Sequence, residues 1–364
     1  MNTTITTATT TGTILAIDLG KFKCVACAYD RATAQAHFDT FTTGRDELLR
    51  LLERWQPAVV VIEACLLAGW VHDLCVARGF ACKVANTASE AWKFKHQKRK
   101  TDKDDALRLA QLEALGQLPT VVLPDPPTRQ WRQLIAYRQT LVGRRVAAQN
   151  RLRAILVGQG LPAPRGARAW TVTGLQGIAA HAKPLAECGP DELWRGLLDL
   201  TLTDYRQVRQ LLDQAEARLD ELAKASAAVQ LLETVPGVGP RTAAAIVAHL
   251  HQPERFATGT QVSAYGGLVP RQYQSGETDL RGRITRRGPA LLRKLLVECA
   301  WVMLRYNRWA RAVYLRLSKG KARKKQAIVA LARKLLVRCW AMLRDGLPWR
   351  GEPAIPAGAE AATP

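Results

Sequence analysis

Asp18 closes the apolar run ILAID, and Glu63 closes VVVIEA, so each carboxylate ends a segment whose other residues are suited to a buried strand. A charge in that position is costly unless it is solvated, paired or bound to a metal. Asp102 and Asp105 open KTDKDDALRLAQLEAL, three residues apart and therefore on one face of a helix, whereas Asp104 lies about 100° round from Asp105 and points elsewhere. Taken singly, each has an ordinary explanation. Strand-end aspartates cap turns, the Asp18-x-Gly20 opening also occurs in actin-like phosphate-binding folds, and helix N-termini favour acids. As a set, two acids at strand ends and two on a helix face form an all-oxygen donor group suited to Mg²⁺, two ions per site, with Mn²⁺ as a substitute. Paired ions of this kind assist phosphodiester displacement.

A hydroxyl of a different kind lies far along the chain. Ser275-Gly276 falls in a polar stretch expected to be a loop, crowded in sequence by Arg271, Arg281, Arg283, Arg286 and Arg287. A serine before glycine is usually a turn residue, but guanidinium groups clamp phosphates and favour nucleophilic attack on one. No histidine stands near enough in sequence to act as base, which disfavours a Ser-His-Asp hydrolase.

The elements expected to position these residues are of two sorts. From Thr13, the runs ILAID, KCVACAYD and AHFDTF read as a β-meander. They are followed by a helix at 45–56, the strand AVVVIEA, a helix at 66–78, the strand FACKVAN and a helix at 103–115. Strands first and alternation afterwards imply a mixed sheet with covering helices. Cys24 and Cys27, the only CxxC, fall in a strand where residues three apart face opposite ways, which makes them core rather than a shared metal site. Farther on, Tyr205, Val208, Leu212, Ala215, Leu219 and Leu222 repeat at 3,4 spacing. So do Leu134, Tyr137, Leu141, Ala148, Leu152 and Ile155, interrupted at Arg145. Both are seams of the coiled-coil type. The stretch 158–190 between them reads as irregular connection. LLETVPGVGPRTAAAIVAHL reads as a helix-hairpin-helix whose turn, with Gly237 and Gly239, offers backbone N–H groups to a phosphate; a plain helical turn explains it equally. Pro289 opens a helix, Gly320-Lys321 breaks the next, and a basic amphipathic helix with Ile328, Leu331, Leu335 and Trp340 on one side closes the segment.

Charge narrows the partner. The net charge is +22, and residues 281–350 hold 20 Lys and Arg against Glu298 and Asp345 alone, a local +18. From Pro126 to Ala186 there are ten basic residues and no acid. Fields this concentrated suit a polyanion, since each phosphate contact releases a counterion. A basic membrane-surface helix is the weaker alternative, because turns interrupt the apolar face, and no apolar run reaches the ~18 residues of a membrane span. The scattered cysteines and the lack of a secretory h-region point to a reduced cytoplasm.

The order and setting of the four acids resemble the RuvC-like, ribonuclease H-fold nucleases over 13–118. Taken in order, AIDLG, VIEA, KTDKDDA, PGVGPRTAAAI, YGGLVPRQYQSGETDLRGRITRRGPALLRKLL and KKQAIVALARKLL resemble the DEDD transposases of the insertion-sequence 110 family, the RNA-guided recombinases. The resemblance implies an α/β plus α architecture. A disordered leader (1–12) would precede a RuvC-like (ribonuclease H-like) mixed-sheet domain (13–124). A coiled-coil helical connector (125–230) would lead to a mainly helical C-terminal transposase domain with a helix-hairpin-helix-like element (231–350), and a disordered tail (351–364) would follow. By the same resemblance Asp18, Glu63, Asp102 and Asp105 are the metal-binding set, and Ser275 attacks DNA to give a covalent phosphoserine. Lys100, Arg271, Arg281, Arg283, Arg286, Arg287, Gly237 and Gly239 would meet nucleic acid. Implied partners are double-stranded donor and target DNA, a noncoding guide (bridge) RNA and further copies of the chain, dimer to tetramer, in the bacterial cytoplasm and nucleoid. Within the tetramer, composite sites take the acids from one subunit and the serine from another. The competing readings are a metal-only RuvC-like nuclease acting on Holliday junctions, with Ser275 a turn residue, and a noncatalytic nucleic-acid scaffold. An actin-like ATPase is disfavoured for want of a second glycine-rich phosphate loop.

Overall fold

The computed structural model describes residues 12–86, 101–163, 165–275, 278–320 and 322–351. The expected leader and tail lie outside these residues, apart from Gly12 and Gly351. The chain divides into two compact units, 1–126 and 127–364.

The first unit is a five-stranded mixed sheet. β1 (Thr13–Asp18), β2 (Lys23–Asp30) and β3 (Ala36–Thr42) form an antiparallel meander, and β4 (Val59–Glu63) and β5 (Cys82–Ala85) add in parallel on the other side of β1, giving the order β3-β2-β1-β4-β5. β1, β2 and β4 are nearly continuous apolar runs, as strands covered on both faces must be. On one face Leu15, Ile17, Val60 and Ile62 pack with Leu48 and Leu52 of α1 (Arg45–Trp55) and with Val71 and Cys75 of α2 (Ala68–Ala77). On the other, Ile14, Ala16, Val59 and Val61 pack with Ala106, Leu109 and Ala110 of α3 (Asp102–Ala114). Cys24 and Cys27 fall in these two separate cores, on opposite faces as the strand period requires.

The second unit is largely helical. α4 (Pro126–Gly158) and α6 (Leu193–Lys224) run antiparallel: Leu156 clusters with Leu198, Leu152 with Leu202 and Tyr205, and Leu141 with Leu212. Arg138 pairs with Glu216, and Arg144 with Asp204 at 3.1 Å, across the same seam. The register of α4 differs from expectation. Ile135 and Leu156 are buried, whereas Tyr137, placed in the seam by its spacing, is half exposed; near its start α4 also packs into the core that contains Leu219 and Ala223 of α6, and Ile135 is on the face that this core covers. The stretch 158–190 is not irregular throughout. Thr171 caps α5 (Val172–Ala179), whose Ile178 is buried in the same cluster as Leu152 and Leu202, with Trp170 packed against it. Local burial against the long helices supplies the order that its Gly and Pro content argued against.

α7 (Ala227–Glu233), α8 (Pro240–Leu250), α9 (Gly259–Tyr265), α10 (Ala290–Tyr306), α11 (Arg308–Ser318) and α12 (Lys324–Asp345) enclose the largest core, in which Leu292, Leu296, Leu331, Leu335 and Leu336 are wholly buried. Each such leucine stabilises the fold by about 1.5–3 kcal/mol. Between α9 and α10 stands an antiparallel hairpin, β6 (Pro270–Ser275) and β7 (Thr278–Ile284). Here the sequence expectation is corrected: Ser275 ends a strand, not an irregular loop. RQYQS shows no apolar alternation and is exposed throughout, so it is the pairing with β7 that makes it a strand. No helix among the described residues is long and apolar enough to cross a membrane.

Candidate active site and nucleic-acid interface

Ile17 pairs with Ile62 in the parallel register of β1 and β4, so Asp18 and Glu63 follow side by side at the same end of adjacent strands. Asp18 alternates with Ile14 and Ala16, and Glu63 with Val59 and Val61, which turns both carboxylates toward the face that α3 covers. The loop after Asp18 is tightly held. A Cβ on Gly20 would stand 2.1 Å from the Lys23 carbonyl, and Thr43 donates from Oγ1 to the Gly20 carbonyl at 2.7 Å.

At the start of α3 the three aspartates separate by role. Thr101 is the N-cap, and Asp104 completes a reciprocal capping box with it: Thr101 N donates to Asp104 Oδ2 at 3.1 Å and Asp104 N to Thr101 Oγ1 at 3.3 Å. The ordinary helix-capping duty thus falls on Asp104, leaving Asp102 exposed and Asp105 buried at 6% exposure on the side that packs on the sheet. Glu113, which no motif in the sequence marks, is also buried on α3. It is neutralised by Lys83 at 2.7 Å and Arg31 at 3.1 Å and serves as an internal ion pair.

Asp18, Glu63 and Asp105 therefore share one face of the unit. Among the described residues no three His, Cys, Asp or Glu side chains come close enough to one another to hold one ion. Carboxylates repel one another, and a bound cation offsets that cost. The donor set is still chemically right for Mg²⁺, since it consists of hard oxygens alone. Lys100 lies outside the described residues.

In the second unit, Ser275 pairs with Thr278 at the tip of the hairpin and is exposed. Strand alternation puts Arg271, Tyr273 and Ser275 on one face, with Arg271 about 13 Å from the serine at 3.3 Å per residue. Arg281 pairs through its backbone with Gln272, while Arg283, Arg286 and Arg287, all exposed, lie at or beyond the far end, where Pro270 pairs with Ile284. Crowding in sequence therefore does not become crowding around the serine. An extended hairpin strings its arginines along about 20 Å.

The base of the hairpin is locked instead by a residue the sequence did not flag. Arg293, on α10, donates through Nη1 to the carbonyls of Arg287 at 2.8 Å, Gly288 at 3.0 Å and Gly266 at 3.4 Å. Burial, with Arg286 nearby, lowers its pKa from the usual guanidinium value. Gly267 (φ +63°) and Gly288 (φ +74°) permit the close approach there, since a Cβ on either would lie 2.0 Å from a carbonyl oxygen, of Arg287 and of Tyr265 respectively.

The turn between α7 and α8 is partly committed to packing. Asn307 Nδ2 donates to the Pro236 carbonyl at 3.3 Å, and a Cβ on Gly237 (φ +95°) would meet Met303 at 2.9 Å. Gly239, the N-cap of α8, faces open space and is the part of this turn that a phosphate can approach.

Acids end strands of a mixed α/β sheet and a strongly basic helical unit follows in the chain; comparison with known proteins gives the class. A transposase model of the DEDD type from the IS110 group matches residues 15–159, and one described as "Transposase IS116/IS110/IS902 family" matches 229–315. The "Probable family 20 transposase" of Pseudomonas aeruginosa is 30% identical over 291 residues, covering 79% of this chain and 84% of its own. The transposase for insertion sequence element IS1111A of Coxiella burnetii is 26% identical over 91% of this chain and 89% of its own. That for IS1328 of Yersinia enterocolitica is 26% identical over 92% and 97%. A solved Thermus thermophilus RuvC structure covers 30% of this chain and 99% of its own at 15% identity and a TM-score of 0.22, too slight a likeness to carry a conclusion. The protein is a DNA transposase. It belongs to the IS110 family of transposases.

Proposed function

We propose that this transposase excises and inserts its element with two sets of groups: the carboxylates of Asp18, Glu63, Asp102 and Asp105 on a RuvC-like sheet, and the Ser275 hydroxyl. The observation that carries the carboxylate half is the adjacency of Asp18 and Glu63 at the ends of neighbouring parallel strands, on the face where α3 buries Asp105. Bound there, divalent ions, Mg²⁺ or Mn²⁺, would supply Lewis acidity to the attacking and leaving oxygens of a phosphodiester. The side chains of Asp18, Glu63, Asp102 and Asp105 would hold and orient that charge.

At the other site Ser275 Oγ bonds to phosphorus as the bond from phosphorus to a deoxyribose oxygen breaks, and the Oγ proton passes to that departing oxygen. A second strand's hydroxyl then attacks the phosphoserine, restores a phosphodiester and returns the proton to Oγ. Phosphate number and oxidation state are unchanged throughout. Arg271, Arg281, Arg283, Arg286, Arg287, Lys100, Gly237 and Gly239 hold the donor and target duplexes. A noncoding bridge RNA selects those duplexes, and the working form is an oligomer, dimer to tetramer, in the bacterial cytoplasm and nucleoid. The acid-free basic stretch 126–186 supports binding to a further polyanion. Co-purification of one defined small RNA with the expressed element checks this. An RNA-free preparation that exchanges strands at full rate removes the guide from the mechanism.

A second reading is favoured by the spacing of the arginines away from Ser275: hydrolysis of branched DNA by the carboxylate site alone. Trapping separates the two. With Mg²⁺ and a nicked suicide substrate, DNA should remain covalently attached to protein, and the adduct should vanish in Ser275→Ala. Full strand exchange by Ser275→Ala would exclude the serine step.

A further inference from the structure

α9, α11 and α12 border a groove of about 540 Å³ lined by Arg316, Arg333, Lys334 and Arg338, with Thr260 and Trp309 among its other walls. No acid lines it. The surrounding sequence is short of acids: from Cys299 to Arg344 the chain carries 13 Lys and Arg and no Asp or Glu. Arg316, Arg333 and Lys334 make no ion pair among the described residues. Arg333, Lys334 and Arg338 are half-buried, so their aliphatic stems are packed while their charges face the groove. Arg338 is further held in place, stacked 4.3 Å from the Trp309 ring centre and 5.0 Å from that of Trp349. Holding the charges of Arg316, Arg333 and Lys334 together without a paired acid is unfavourable, and a ligand rich in negative charge relieves it.

The groove adjoins the hairpin that carries Ser275. Val269 is one of its walls and is followed directly by Pro270–Ser275. Six residues of strand span about 20 Å, which at 3.4 Å per nucleotide step is roughly six base pairs. We propose that this groove seats the phosphodiester backbone of duplex DNA some six base pairs from the phosphate presented to Ser275. The inference rests on the reading of the hairpin as the DNA-cleaving element, but it concerns binding, and its test needs no cleavage.

The test uses the full chain and a labelled 30-base-pair duplex of arbitrary sequence, with affinity followed by anisotropy across a salt series. Replacing Arg316, Arg333 and Lys334 together by Gln should make the slope of log K against log salt shallower by about 2.7, near 0.9 for each lost phosphate contact. The same triple should weaken binding at least about tenfold at 0.1 M salt. Removing an equal charge through Arg305→Gln, Arg308→Gln and Arg311→Gln, exposed arginines of α10 and α11 that do not line the groove, should change the slope by less than one unit. R316K/R333K, which keeps the charge, should restore the slope lost in R316Q/R333Q, and a folding defect would instead persist in it. An equal slope change in the two triples would show that only net charge matters and would overturn the proposal. So would an effect confined to duplex RNA. Loss of the serine mechanism, seen as strand exchange by Ser275→Ala, would leave these slopes untouched, so the two failures are distinguishable.

Discussion

Asp104 and Asp105 are chemically identical neighbours, and the fold gives them different work. Asp104 is tied to Thr101 in the capping box, whereas Asp105 is buried against the sheet face that Asp18 and Glu63 end. Asp104→Ala should therefore cost about 1 kcal/mol of stability through the lost cap and leave strand transfer near the wild-type rate. Asp105→Asn keeps shape and helix but removes the charge, and should lower strand transfer by at least about a hundredfold with little change in melting temperature. Thermal melts and a strand-exchange assay on the two variants decide the matter. Equal activity losses would mean that Asp105 acts through the helix rather than through its charge. The two roles could not be divided by residue type. The helical angle between 104 and 105 was legible in the sequence, but the direction of the sheet was not.

Hairpin and helix meet at a joint made of backbone. Arg293 reaches three carbonyls there, and Gly267 occupies a conformation with φ +63° in which a methyl group would strike the Arg287 carbonyl. Gly267→Ala should cost about 1–3 kcal/mol by backbone strain and crowding, as read in urea unfolding. Arg293→Ala leaves the core intact and should loosen the hairpin alone. Chymotrypsin should then cut at the exposed Tyr273 or Leu280 several times faster, with the global melting temperature nearly unchanged. An unchanged cutting rate would mean that the β6–β7 ladder and the glycines hold the joint without the guanidinium. Composition alone points to a loop with arginines around a serine. Pairing between β6 and β7 is a non-local event, and it is this pairing that spreads the arginines along the strands.

For the second unit as a whole, acid stability should turn on one histidine. His249, near the end of α8, is largely buried beside Arg132 and Arg255, and burial first, then the two guanidinium charges, push its pKa down to about 4 from 6.5. The native imidazole thus stays neutral while the unfolded chain takes up a proton below pH 6.5. The contribution to stability is complete above about 6.5 and is lost as pH falls toward 4, to the extent of about 3 kcal/mol. Urea unfolding between pH 4 and 7.5 should show that decline, and His249→Gln should flatten it; an unflattened profile would assign the decline to carboxylates instead. The mixed sheet, the long helices and the charge asymmetry were determined by the sequence itself, because hydrophobic period and net charge are local sums that survive any arrangement of the elements. Tertiary structure alone decided which face of the sheet Asp18, Glu63 and Asp105 share. It also decided that α4 and α6 pair within one chain and that Arg316, Arg333, Lys334 and Arg338 line a single groove. These depend on strand register and helix rotation, which are set by packing between segments far apart in the chain, and no periodicity within a segment encodes its partner.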